Sequence, residues 1–194
     1  MRNWNQYEVW LALGWILSTV YLDVIADEFG VFPILAVGGL KEGGKTSLCE
    51  ILTAFHGTHD QVNNAEETTR VSIGRHLNYF SNLSVWIDEY RPTVYANDKW
   101  DSFLRSVYNR QGASKAERGN TSQIRKVPVY GSLILSGEAS PSESALMTRC
   151  IMINLDKYRL VGSEWNWLCK HRSKFSAMYY QVAKQRKEKL REEF

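Results

Sequence analysis

Between Ile34 and Leu48 the chain reads ILAVGGLKEGGKTSL: a short apolar run, a loop crowded with glycine, then a lysine and a threonine opening a helical pattern. Gly39, Gly44, Lys45 and Thr46 fill the fixed positions of the spacing GxxxxGKT. Consecutive backbone N–H groups can wrap an anion only where side chains are few and unusual dihedrals are tolerated, and Gly38, Gly39, Gly43 and Gly44 supply both conditions. The expected phosphate-binding set is Gly39, Glu42, Gly43 and Gly44 in the loop, with Lys45, Thr46 and Ser47 at the helix start, where the N-terminus favours an anion. Lys45 adds a point charge for terminal phosphates, and the Thr46 hydroxyl adds a ligand for Mg²⁺. A buried strand over 32–37 and a helix over 46–55 provide the strand–loop–helix context that the spacing requires.

A second stretch, LSVWIDEY at 83–90, is an apolar strand that closes on paired carboxylates, Asp88 and Glu89. Where such a strand lies beside the glycine loop, both charges emerge at the edge where α/β sheets place their ligands. In nucleotide-hydrolysing enzymes with this loop the first carboxylate holds the Mg²⁺ shell, and in many the second positions and activates the attacking water. Loop and acidic pair together lead us to expect hydrolysis of ATP with Mg²⁺.

The chain of 194 residues, 44% hydrophobic and 23% charged, is long enough for one α/β domain. We expect an N-terminal helix over 3–29, an ATPase core over 31–156 and a C-terminal helix over 163–194. Cys49, Cys150 and Cys169 are odd in number and widely spaced, which suggests neither a disulfide framework nor a zinc site and fits a reducing cytoplasm. The run VWLALGWILSTVYLDVIA at 9–26 approaches the length of a membrane span, but Ser18, Thr19 and Asp23 interrupt it. Trp10, Leu13, Leu17, Val20 and Val24 recur at helical intervals, so a core helix is expected and no membrane partner. At the other end, Trp165, Leu168, Phe175, Met178, Tyr179 and Val182 form the expected inner stripe. The net charge of +3 hides two basic regions. Seven basic residues face two acidic ones between Lys99 and Lys126, and eight face three between Lys170 and Phe194. Clustered positive charge attracts a polyanion or simply lines a solvated face.

The order of these parts resembles the AAA+ ATPases: glycine loop, acidic pair, a polar residue ending a later strand, and an arginine before the last strand. The IDE strand, and the stretch RKVPVYGSLILSGE with its basic residues ahead of the strand, are similar to the superfamily 3 helicase-like modules of viral, phage and plasmid primase–helicases. The resemblance spans about residues 6–155. It implies a three-layer α/β fold with a five-stranded parallel sheet in the order 5-1-4-3-2, assembled as a homo-oligomeric ring, often a hexamer. It also implies that Ser136, or alternatively Glu138, is the sensor that helps orient water. Arg149, in MTRC, is implied as a finger reaching into a neighbour's site, with Arg91 and Arg110 as rivals. Lys115, Arg118, Arg125 and Lys126, just ahead of the sensor strand, are implied to grip single-stranded DNA through its phosphates. The function implied is a DNA helicase or translocase in replication; the other reading of the same residues is an ATP-gated assembly switch that moves no strand.

Overall fold

A computed structural model describes residues 6–91, 98–117, 120–155 and 162–192. Five strands form one sheet: β1 (Ile34–Gly38), β2 (Val62–Asn64), β3 (Ser84–Asp88), β6 (Ser132–Ser136) and β7 (Cys150–Asn154). Their spatial order is β2-β3-β6-β1-β7, and every neighbouring pair is parallel. A separate antiparallel hairpin is made by β4 (Gln111–Glu117) and β5 (Asn120–Pro128). The helices are α1 (Gln6–Ser18), α2 (Leu22–Phe29), α3 (Lys45–His56), α4 (Arg70–Tyr79), α5 (Asp98–Tyr108), α6 (Ser144–Met147), α7 (Gly162–Lys170) and α8 (Arg172–Glu192).

The inner strands β1, β3 and β6 are buried on both faces, which is why they read as apolar runs. Alternate residues feed two separate cores. Leu35, Val37, Trp86 and Ile134 pack with Val9, Ala12, Ile16, Leu48, Leu52 and Tyr179 on the side of α1, α3 and α8. Ile34, Val85, Ile87, Leu133 and Leu135 pack with Ile73, Leu77, Phe103, Leu104 and Val107 on the side of α4 and α5. Trp15 Nε1 donates to Pro33 O at 3.0 Å, which fixes α1 at the point where β1 begins.

Two helices differ from expectation. The N-terminal one is interrupted by a 3₁₀ turn at Thr19–Tyr21. There the Ser18 hydroxyl donates to Trp15 O and the Thr19 hydroxyl to Ile16 O, each at 2.7 Å, so side chains compete with the helical ladder. Its buried face is Val9, Ala12, Trp15, Ile16, Thr19 and Val20, while Trp10 and Val24 point outward at 65% and 44% exposure. The helix is apolar nearly all round, so the spacing of its largest residues does not select the face. Residues Tyr7–Phe29 are long and apolar enough to cross a membrane by length and composition. The C-terminal helix breaks at His171 into α7 and α8. Its inner residues are Leu168 and Tyr179, with Trp165, Phe175 and Val182 partly buried; Met178 is exposed.

A polar chain joins both terminal helices to the starting edge of the sheet. His56 Nδ1 accepts from Ser84 N at 3.0 Å, so its proton sits on Nε2 and faces Thr19 Oγ1, also at 3.0 Å. Thr19 Oγ1 lies 2.9 Å from the Tyr179 hydroxyl, which donates to Asn82 O at 2.8 Å. Burial pushes His56 down to about 3. The unfolded imidazole, near 6.5, therefore takes up a proton that the folded one refuses. Stability should be level above about pH 6.5 and fall below it by up to about 1.4 kcal/mol per pH unit from this one group. Urea unfolding at pH 7, 6 and 5 checks this: His56→Asn should lose that share of the slope.

Candidate functional site

Because all five strands of the sheet run the same way, their C-terminal ends share one edge. The pairing Gly38↔Asn154, Val37↔Ser136, Ile87↔Leu135 and Asn64↔Asp88 sets the end of β1 and its glycine loop, Ser136, Asp88 and Asn64 in a row across it. Neighbouring strands are about 4.8 Å apart, so Asp88 stands some 10 Å from the axis of β1, with β6 between them.

The glycine loop is shaped by backbone crowding as much as by its own freedom. A Cβ on Gly39, whose φ is +136°, would lie 2.3 Å from Leu155 O, and one on Gly43 2.5 Å from the same oxygen. The end of β7 thus presses into the loop at two places where no side chain fits. Gly44 takes φ +88° at the helix N-cap, and Glu42 takes the left-handed φ of +60° although it carries a side chain. The Lys45 ammonium donates to Gly39 O at 3.0 Å and Leu40 O at 2.7 Å, which holds it over the loop. Glu42 and Thr46 are exposed, and Ser47 is half-buried.

Across the edge, the Ser136 hydroxyl donates to Asp88 Oδ1 at 2.5 Å and accepts from Trp86 Nε1 at 2.7 Å. Ser136 is 2% exposed. Cys49 of α3 lies against the same serine, and burial first, then the nearby Asp88 charge, pushes its thiol far up, so it stays protonated. Glu89 is exposed and has φ +60°. The turn behind it is pinned by Tyr90 N donating to Ser136 O at 2.8 Å. Gly137 admits that turn, since a Cβ there would meet Tyr90 O at 2.1 Å. Arg91 reaches Glu89 Oε2 at 3.5 Å and Glu66 Oε1 at 3.7 Å.

The loop residues, Asp88, Glu89 and Ser136 therefore meet at one edge, and Glu138 follows Ser136 as an exposed side chain. Arg149 does not join them. Its carbonyl accepts from Ile34 N at 3.1 Å, at the opposite end of β1. Its guanidinium lies 5.6 Å from the Tyr108 ring centre and donates to Ala145 O. Arg110 sits at the base of the hairpin with φ +59°, donating to Gly131 O at 2.6 Å, and burial lowers it to about 10. The hairpin register sets Lys115 opposite Arg125 and Ser114 opposite Lys126, whereas Arg118 lies outside the described residues. Sequence reading missed two participants, Trp86 and the Leu155 carbonyl. A tryptophan inside an apolar strand was a usable signal, because a buried indole N–H needs an acceptor.

A parallel α/β sheet with a GxxxxGKT turn between an interior strand and the following helix makes this a P-loop NTPase-like fold. No protein-family model and no curated protein sequence matches the chain. Among solved structures it is similar to NtrX from Brucella abortus, crystallised in complex with ATP, with 12% identity and a TM-score of 0.43. That match covers 75% of this chain and 35% of the other, so the chain spans about a third of that protein's length.

The crowding at Leu155 gives a direct expectation. Gly39→Ala must displace either the loop or the end of β7, and should cost about 1–3 kcal/mol in urea unfolding while weakening nucleotide binding. Gly57→Ala, at a left-handed φ of +71° and with open space around its Cβ, should cost less and leave binding intact.

Proposed function

We propose that this protein is a Mg²⁺-dependent ATPase of the AAA+ type that assembles as a ring and acts on nucleic acid as a helicase or translocase. The observation that carries the ATPase reading is the arrival of Asp88 and Glu89 at the same sheet edge as the glycine loop. The loop amides and Lys45 would hold phosphates, and the crowded cradle at Gly39 and Gly43 fits a backbone-only grip. Thr46 and Asp88 are an oxygen donor pair of the kind Mg²⁺ takes. Bound there, Mg²⁺ would neutralise charge on the phosphate oxygens. Glu89 would orient and deprotonate the attacking water, and its left-handed backbone carries its carboxylate out of the strand into solvent.

Arg149 stands a full strand, about 17 Å, from the glycine loop of its own chain. A role in hydrolysis would therefore require a neighbouring copy, as in a ring. The support for nucleic acid is the hairpin, where Lys115, Arg125 and Lys126 are gathered by register on one antiparallel ribbon.

Glu89→Gln should bind ATP as the parent does and turn over at least about 100-fold more slowly in a phosphate-release assay; unchanged turnover removes Glu89 from the reaction. At low salt, single-stranded DNA should bind and stimulate hydrolysis, and Lys115→Glu with Arg125→Glu should abolish both. If the parent hydrolyses ATP and assembles but ignores the oligonucleotide, the assembly-switch reading replaces the helicase one.

A further inference from the structure

Trp86 is 1% exposed and lies two residues before Asp88, on the same face of β3. Ser136 stands across from Asp88 on the adjacent strand and diagonally from Trp86. Cross-strand diagonals span about 7–8 Å, a distance within reach of a long aromatic side chain. The indole N–H closes it, at 2.7 Å from Ser136 Oγ. An indole nitrogen only donates, and a serine hydroxyl owns a single proton. With one lone pair of Ser136 occupied by Trp86, that proton is directed to Asp88 Oδ1, 2.5 Å away.

We propose that Trp86 is a positioning residue for the metal-binding carboxylate: by orienting the Ser136 hydroxyl it holds Asp88 Oδ1 and leaves Oδ2 to a divalent cation. This rests on the reading of Asp88 as a Mg²⁺ ligand. It also assigns Ser136 a different task from orienting water, since its only proton is already engaged. Phenylalanine keeps an aromatic ring there and lacks the N–H, and the void it leaves is read separately as lost stability.

The test is a titration of MgCl₂ into the full chain with a fluorescent ADP analogue, following the Mg²⁺-dependent tightening of nucleotide binding. Ser136→Ala, which removes a hydrogen bond to a charged group, should raise the half-saturating Mg²⁺ at least about tenfold, and Trp86→Phe, which removes a neutral one, about two- to tenfold. Because Trp86 acts through Ser136, the double variant should be no worse than Ser136→Ala alone. Urea unfolding of each variant reports packing separately. In ¹⁵N spectra, the indole resonance missing from Trp86→Phe should shift in Ser136→Ala and in Asp88→Asn. Trp86→Phe that lowers stability without moving the Mg²⁺ requirement, or a double variant whose effects add, overturns the proposal. A parent chain that binds no nucleotide at any Mg²⁺ concentration overturns the P-loop reading itself, and the proposal with it.

Discussion

The functional edge depends on β1 having a parallel partner on each side. On one side β7 ends with Leu155 pressed against Gly39 and Gly43, so the shape of the loop is imposed by a neighbouring carbonyl as well as permitted by its glycines. On the other side β6 ends with Ser136, which reaches across to Asp88 on β3. Four strands, β7, β1, β6 and β3, thus finish in one row, and pairing register sets the spacing between loop and carboxylate. No long side chain is needed to gather the site. A one-residue slip of β6 against β1 would turn Ser136 to the other face and leave Asp88 without its donor.

The inner strands of this row, β1, β3 and β6, were legible because they are buried on both sides. The stretch 83–90 contains β3 whole, and β6 falls inside RKVPVYGSLILSGE. The glycine spacing and the acidic pair were legible because phosphate and metal chemistry restrict the residue types. What escaped was whatever depends on a partner elsewhere in the chain. The polar segment after α3 suggests a short strand near Gln61 and Val62, and β2 lies at Val62–Asn64; with two asparagines in it, its extent is set by pairing with β3. The inner face of α1 is chosen by the floor it lands on, which accepts Ala12 and Thr19 and turns Trp10 out. The bond from Trp86 to Ser136 crosses two strands on a diagonal, and no spacing along the chain announces it.

Among the described residues four that are not glycine hold a left-handed φ, and two of them, Glu42 and Glu89, lie at this edge. The conformation costs an L-residue of the order of 1 kcal/mol. Each is held there by its surroundings: the crowded glycine loop around Glu42, and the Tyr90–Ser136 hydrogen bond with Gly137 behind Glu89. The rest of the sheet has enough buried apolar surface to sustain such local costs. Strain of this kind belongs where geometry matters more than stability.

The polar chain from Ser84 through His56 and Thr19 to Tyr179 has a consequence for how the molecule is made. The core behind α1 and α3 contains Tyr179, with Phe175 stacked on Phe55 at 5.2 Å, so its last wall comes from α8. A nascent chain emerging from the ribosome can form the P-loop strand and helix early, but the Thr19 hydroxyl must wait 160 residues, and the buried imidazole some 120, before Tyr179 arrives. The half of the core behind α1 and α3 is the last to be sealed, and until then its apolar surface is open.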